Sequence, residues 1–472
     1  MSYQNTQLIN KINTILVFIF ILFLPTQLGR HFFLPFSYLS GVRIDYLAPT
    51  IYLTDILIIL LIFFNLKTVL NFFRNRKLLF VLGLLLLNVI LSLSPFISMY
   101  QYIDILKWLA VFSIFLKIGK KYLKEIYLAF FFGSIFQLIL VILQFVNKHS
   151  IQGFYWFLGE RFLNLSLPGV AKASISGVEF LRPYGTFSHP NSMGGFYLLI
   201  YFFFLMIPNI NIKNIIWDLG NHQSLRSENK NLNIKLIDAY MFREGGLFIC
   251  TLLIFLSFSK ISILTLLFLT TIYLLLTTDK CKPCLLAKII VLIIAGSIFL
   301  LSQNDPQSLN NRIILLKNSW QIFLAHPFFG VGLGNYLIAQ NKLPMNFSYY
   351  FQQPVHNIFL LWLTETGIII NGAIIWLMVY PELDLRFGGL AEWAKWLRIK
   401  KLLITYYLLL ITILITGSFD HYWLTLQQNF LLLAIIFSLL HSSNVIASPE
   451  GMTSSPEGMT SSPEGTRQSH NH

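Results

Sequence analysis

Two short polar stretches carry the side chains best suited to chemistry. One runs Arg182-Pro183-Tyr184-Gly185-Thr186-Phe187-Ser188-His189-Pro190-Asn191, the other Pro354-Val355-His356-Asn357, and each directly precedes a long apolar run. Arg, His and Asn at such a junction are costly to hold near lipid, so their presence asks for a functional reason. His356 is the candidate proton-transfer residue: at the mouth of a span, imidazole reaches both water and a lipid-borne substrate, and its ordinary pKa of about 6.5 suits a general base. A neighbouring arginine would keep the ring neutral, as a base requires. The competing reading of His356 is a helix cap or interfacial anchor. Arg182 has no such alternative, because it caps no helix N-terminus and is costly to bury without an anion. For Asn191 a helix cap leads, with Ser192 as the other candidate; Pro190 biases His189 toward extended backbone and out of the helix.

Three further groups join them. Ser257-Phe258-Ser259-Lys260 is the polar break in the apolar run 246–278, which is too long for one span and reads as two short ones meeting at an external turn. Lys260 then sits at the outer face, either as a functional cation or as a snorkelling lysine. Arg312 begins a helix-like stretch from Asn311 to Ala325 that carries Trp320, followed by His326-Pro327-Phe328-Phe329-Gly330-Val331-Gly332-Leu333-Gly334-Asn335. Its G-x-G-x-G lacks the preceding strand of a dinucleotide loop and is placed outside the cell, so a nucleotide is excluded. The glycines serve a tight turn or a close approach of backbone to a ligand. Asp420-His421-Tyr422 occupies a short external turn, where Asp420 could orient His421. Glu365 lies about 13 Å deeper than His356, on the opposite helix face, and is read as packing.

The elements that must position these groups are membrane helices. The chain has 472 residues, 56% hydrophobic and 11% charged, a balance that leaves a soluble fold without enough polar surface. Continuous apolar runs of about 18–22 residues fit helices crossing a core roughly 30 Å thick, and lack the alternation of a barrel. The expected fold is all-α and polytopic, with about twelve transmembrane helices near 13–29, 51–66, 78–95, 101–116, 126–146, 192–209, 246–258, 261–278, 289–302, 357–379, 403–418 and 424–441. A long external loop, 303–356, separates the ninth and tenth. The net charge of +14 is mostly topology: clusters such as Lys67/Arg74/Arg76/Lys77 and Lys117/Lys120/Lys121/Lys124 fall on the cytoplasmic side. Nucleic-acid binding is not expected, since no groove-reading motif accompanies the charge. The first run lacks a cleavage site and reads as a span. Cys250 lies in a span, and the single Cys281-x-x-Cys284 gives no metal or disulfide framework.

Outside the spans, 147–191 carries the interface-type aromatics Tyr155, Trp156 and Phe157, and 210–245 is a cytoplasmic insert without evident chemistry. Residues 1–441 form the membrane domain. The tail 442–472 repeats Ser-Pro-Glu-Gly and reads as low-complexity, disordered sequence.

R-P-Y-G-T-F-x-H-P-N before a span, S-x-S-K within a broken span, R-I-x(6)-W, H-P-x-x-G-V-G-x-G-N and V-H-N-x-x-L-x-x-x-x-E-x-G occur in this order. The pattern resembles the O-antigen ligase and O-antigen polymerase family, most strongly over roughly 180–379, with a looser match through D-H-Y-W at 420–423. The resemblance implies a multi-span glycosyltransferase of the bacterial inner membrane, part of lipopolysaccharide or polysaccharide biosynthesis, with its active site facing the periplasm. It implies a polyprenyl-diphosphate-linked glycan donor, a glycan or lipid A-core acceptor, and membrane lipids as partners. By position, His356 is the catalytic histidine, with Arg182 and Arg312 as diphosphate-binding arginines. Lys260, His189, Asn191, Asn357, Asp420 and His421 complete the expected substrate-binding set. Ser259-Lys260 stands where the family commonly has Ser-Arg, keeping the charge but losing the bidentate fork. No cofactor is expected, and with no Asp-x-Asp cluster in the external loops the transfer is expected to be metal-independent. The competing class, a transporter or lipid flippase, would need ionisable residues at mid-membrane and an internal repeat; apart from Asp104, Lys107 and Glu365 the spans are nearly uncharged, and no repeated half is visible.

Overall fold

The computed structural model describes residues 3–167, 169–175, 177–206, 228–277, 282–301, 307–343, 352–379 and 393–446. The first half of the insert 210–245 and most of the tail 442–472 lie outside these residues. The described chain is mostly helical: α1 Tyr3–Leu22, α2 Leu53–Phe64, α3 Leu66–Phe73, α4 Arg76–Leu91, α5 Pro95–Ile118, α6 Leu123–Asn147, α7 Pro190–Met206, α8 Glu228–Leu256, α9 Lys260–Thr277, α10 Lys282–Leu300, α11 Gln307–Ala325, α12 Tyr336–Gln340, α13 Ile358–Val379, α14 Trp393–Phe419, α15 Tyr422–Thr425 and α16 Gln427–Ile446.

Four helices are long and apolar enough to cross a membrane unaided: α5, α6, α9 and α13 over Ile358–Leu377. The pair α2 and α3, bent by 87°, makes a fifth if it is one broken span. Gln7–Leu22, Pro190–Met206, Ile404–Phe419 and Gln427–His441 are apolar but shorter. These helices make the chain a multi-pass membrane protein.

The organising element is α7, every residue of which is buried. It is apolar around its whole circumference (Phe196, Phe202, Phe203 and Phe204 point in different directions), as a central bundle helix must be. It packs against α8, α9, α14 and α16. Gly194 and Gly195 bring its first turn close to its neighbours: a Cβ at Gly194 would lie 2.7 Å from Ser257 Oγ, and one at Gly195 2.5 Å from Tyr422 Cζ. The N-terminal end of α7 is thereby drawn against two other chain segments.

The expected break in 246–278 is present as two helices, α8 and α9, meeting at Ser257–Ser259, where Phe258 takes a positive φ of 50°. The helix expected from Asn311 to Ala325 begins four residues earlier, at Gln307. The all-α expectation misses three small antiparallel sheets: β1 (Gly29–His31) with β4 (Thr50–Tyr52), β2 (Tyr38–Leu39) with β3 (Val42–Arg43), and β5 (Lys172–Ile175) with β6 (Val178–Leu181). The β2–β3 hairpin turns through Ser40 and Gly41, at φ 50° and 78°, the two-residue turn that suits strand twist.

Candidate active site

The ends of α13 and α14 bring His356 and Asp420 together. His356 lies two residues before α13, Asp420 immediately after α14, and His356 Nδ1 is 3.4 Å from Asp420 Oδ1. That is an ion-pair distance, longer than a well-formed hydrogen bond. On the other side of the ring, Nε2 lies 3.1 Å from Gln353 Oε1. Both neighbours are acceptors in these orientations, whereas a neutral imidazole has one N–H. Turning the Gln353 amide over, which exchanges two atoms of nearly equal size, resolves the conflict. Its NH₂ then donates to Nε2, and Nδ1–H faces Asp420. This leaves the Nε2 lone pair as the basic site.

Asp420 is 4% exposed. Its Oδ1 also accepts the His421 backbone N–H at 2.8 Å, and Oδ2 accepts from Asn191 Nδ2 at 2.9 Å. Burial alone would raise its pKa. The nearby His356 ring, followed by His421 and Arg312, outweighs that and holds the carboxyl well below its usual range. The expectation that Asp420 orients His421 is corrected. The His421 backbone N–H, not its ring, hydrogen-bonds the carboxylate. The His421 ring instead pairs its Nδ1 with Thr425 Oγ1 at 2.7 Å and packs against His356 at a centroid distance of 5.0 Å. Burial pushes His421 down to about 3, assisted by His356 and Arg312 against the pull of Asp420.

Asn191 connects this pair to Arg182. Arg182 is 6% exposed; its Nη2 donates to Asn191 Oδ1 at 2.6 Å, and Nε and Nη2 both donate to the Ser257 carbonyl, at 3.0 and 2.9 Å. Burial lowers its pKa to about 10, so it stays a cation at neutral pH. Its hydrogen-bond acceptors are neutral, and no carboxylate pairs with it directly among the described residues. The capping expectation for Asn191 and Ser192 is also corrected. Asn191 lies inside α7 and spends its amide on Arg182 and Asp420, while Ser192 Oγ donates to Asn429 Oδ1 at 2.5 Å. His189 does the capping: its Nδ1 accepts the Asn191 backbone N–H at 3.1 Å. Burial, followed by the charge of Arg182, lowers the His189 pKa to about 3, consistent with a ring nitrogen that must keep its lone pair.

Arg312, in the second turn of α11, donates Nη1 to the Phe419 carbonyl at 3.2 Å, one residue from Asp420. Asn357 donates to the Ser418 carbonyl at 3.3 Å and accepts the Leu360 N–H at 2.9 Å, so it both caps α13 and ties it to the end of α14. Lys260 opens α9, three residues from the Ser257 carbonyl that holds Arg182, and forms no ion pair with any described residue. All nine expected site residues therefore fall on one end of the bundle; Arg182, His189, Asn191, His356, Asp420 and His421 are joined by direct contacts, and Arg312 and Asn357 bond the two residues that precede Asp420.

Below them the glycine-rich turn packs backbone against backbone. Gly330 and Gly367, both at φ 68°, pack against each other's segments: a Cβ on Gly330 would lie 2.5 Å from Glu365 O, and one on Gly367 2.6 Å from Gly330 N. These glycines serve α13, which breaks at Gly367. Sequence reasoning passed over two contributors here. Asn88, 1% exposed, donates to Phe329 O and Glu365 O at 2.6 and 3.0 Å and accepts from Leu333 N at 3.0 Å. Gln353 meets the candidate base. An amide inside an apolar run was the available signal for Asn88; Gln353 had only its closeness to His356.

One imidazole nitrogen from each of His356 and His421 and one oxygen of Asp420 lie within 4.8 Å of one another. Two imidazoles and a carboxylate are a donor set that suits zinc or iron. Each Asp420 oxygen also accepts one hydrogen bond, and His421 Nδ1 is engaged by Thr425, outer contacts of the kind that ligating groups make as well.

Residues 245–377 match the family model described as O-antigen ligase. Over this stretch the chain is similar to the O-antigen ligase family. The stretch contains Lys260, Arg312, His356 and Asn357, whereas Arg182, His189, Asn191, Asp420 and His421 reach the same site from outside it. No curated protein matches the chain.

Proposed function

We propose that this protein transfers a glycan from a polyprenyl diphosphate to a sugar hydroxyl at the outer face of a bacterial inner membrane, as an O-antigen ligase or a repeat-unit polymerase. The observation that carries the reading is the connected line Arg182–Asn191–Asp420–His356, which joins a buried cation without a carboxylate partner to a base held by a carboxylate. In the step it supports, the acceptor hydroxyl gives its proton to His356 Nε2 as its oxygen bonds to the anomeric carbon. The bond from that carbon to the diphosphate oxygen breaks, and the diphosphate leaves with the electron pair. Arg182, Arg312 and Lys260 stabilise the charge that grows on it. Such stabilisation is worth most where water is excluded and the donors are already in place, and arginine suits phosphate because two N–H groups can bind two oxygens. Asp420 stabilises the imidazolium that forms.

Replacing His356 or Arg312 by alanine is expected to abolish surface polysaccharide while the protein remains in the membrane. Normal polysaccharide length and amount in either variant would refute the assignment.

A further inference from the structure

Beside the proposed catalytic cluster lies a cavity of about 920 Å³, at the upper end of the roughly 300–1,000 Å³ typical of small-molecule sites. Its wall combines the first external segment (Asp45 and Tyr46), the outer half of α5 (Tyr100 and Asp104), Arg161 from the second external segment, and Gln353. We propose that this cavity is the binding site for the acceptor glycan, an oligosaccharide that enters over the first external segment and presents its hydroxyl where the Gln353 amide now meets His356. The inference rests on the transferase reading above and adds to it the place and chemistry of the second substrate.

Three observations converge. First, the cavity touches the base by contacts already described: Gln353 is 3.1 Å from His356 Nε2, and the Tyr46 ring lies edge-on to His421 at 5.5 Å. The Gln353 amide holds the basic nitrogen as an incoming hydroxyl would have to. Second, none of Arg182, Lys260 and Arg312 is in the wall. The cations proposed for the diphosphate and the cavity thus meet the base separately, as two substrates of a transfer must.

Third, the wall has the chemistry of a sugar site and not of a prenyl chain or a second phosphate. At the inner end Lys107 Nζ is shared between Asp104 Oδ1 at 2.6 Å and Asp55 Oδ1 at 2.7 Å. Asp55 is filled further by Gln427 and the Tyr52 N–H; Asp104, which meets Lys107 and the Tyr100 hydroxyl, keeps two of its about four lone-pair sites for hydroxyl donors. At the rim Asp45 lies 3.4 Å from Arg43 Nε and 3.7 Å from an Arg161 Nη. Acceptors and donors alternate with the flat apolar faces of Tyr46 and Tyr100, and aromatic rings of this kind offer one apolar body and one polar tip to a ligand of mixed character. Ionised side chains in the wall would strand an isoprenoid tail, and the carboxylates would repel a diphosphate.

The test separates binding from turnover. The full chain, in nanodiscs, carries His356→Ala so that nothing is transferred. The probe is the free oligosaccharide released by mild acid from the surface glycan of the cells that make this protein, and binding is followed by saturation-transfer NMR. The His356→Ala protein is expected to bind the probe. Adding Asp104→Asn, or Asp45→Ala at the exposed rim where folding is not at stake, is expected to raise the half-saturation concentration at least fivefold. Unchanged binding in both double variants, or no binding to the parent, overturns the proposal. The polysaccharide phenotype of His356→Ala in cells tests the transferase reading alone, so the two can fail separately.

Discussion

Asp420 faces the ring of His356 and not that of its chain neighbour His421, with Nδ1 and Oδ1 3.4 Å apart. A carboxylate placed there fixes which nitrogen carries the proton and steadies the imidazolium. Asp420→Asn keeps the shape but removes the charge and can favour the wrong tautomer. Transfer rates in membranes are expected to fall by about 10²–10⁴-fold with protein abundance unchanged. A loss smaller than tenfold would remove Asp420 from the mechanism.

Lys260 and Arg182 divide the proposed diphosphate work differently. Arg182 is held by three hydrogen bonds, whereas Lys260 meets no described carboxylate. Lys260→Ala is expected to slow transfer by about 10²–10³-fold, the usual cost of one lost transition-state donor. Lys260→Arg restores the fork and should retain most of the rate. An arginine variant as poor as the alanine variant would mean that Lys260 acts through packing.

The His356, Asp420 and His421 group makes metal dependence a direct question. With His356 acting as a base, transfer is expected to survive dialysis against a chelator. Activity lost on chelation and regained with zinc or iron, in step with bound metal, would reassign the three residues as ligands.

Part of the site was legible because cations and histidines beside apolar runs are hard to explain otherwise; Arg182 and His356 stood out on that ground, whereas Arg312 was reached only through the family resemblance. The break at Ser257–Lys260 followed from length, since an uninterrupted span could not be so long. What stayed hidden depends on direction in space. Sequence adjacency favoured Asp420 with His421, yet the His421 ring bonds Thr425 and only its backbone N–H bonds the carboxylate. Asn191 looked like a cap, but the ring of His189 took that N–H and released the amide for Arg182. The β2–β3 hairpin had a signal in Ser40-Gly41 between Leu39 and Val42, obscured by the stronger helical pattern around it. The cavity had none, because its wall is gathered from segments far apart in the chain.

His189 also makes stability depend on pH. Its ordinary pKa of 6.5 falls to about 3 on folding, so between those values the unfolded chain binds more protons and stability is lost as pH drops. Integrating from pH 6.5 to 5 gives at most about 2 kcal/mol for this group. The thermal midpoint in detergent is expected to fall between pH 7.5 and 5, and to fall less in His189→Gln. Identical shifts in both proteins would show that the ring does not cap α7 as a neutral group.

Gly367 is where the architecture under the site is least forgiving. Its φ of 68° suits glycine, and an added Cβ would strike the Phe328 carbonyl and the Gly330 nitrogen. Neither can yield without moving the turn that Asn88 fastens to α13, and α13 carries His356 at its outer end. Gly367→Ala therefore combines backbone strain of about 1–3 kcal/mol with displacement of the base. It is expected to lower both the folded fraction on fluorescence-detected size exclusion and the transfer rate per folded molecule. Gly372→Ala, where a Cβ meets open space, should change neither. If Gly367→Ala folded and turned over like Gly372→Ala, the broken helix would not be what holds His356 in place.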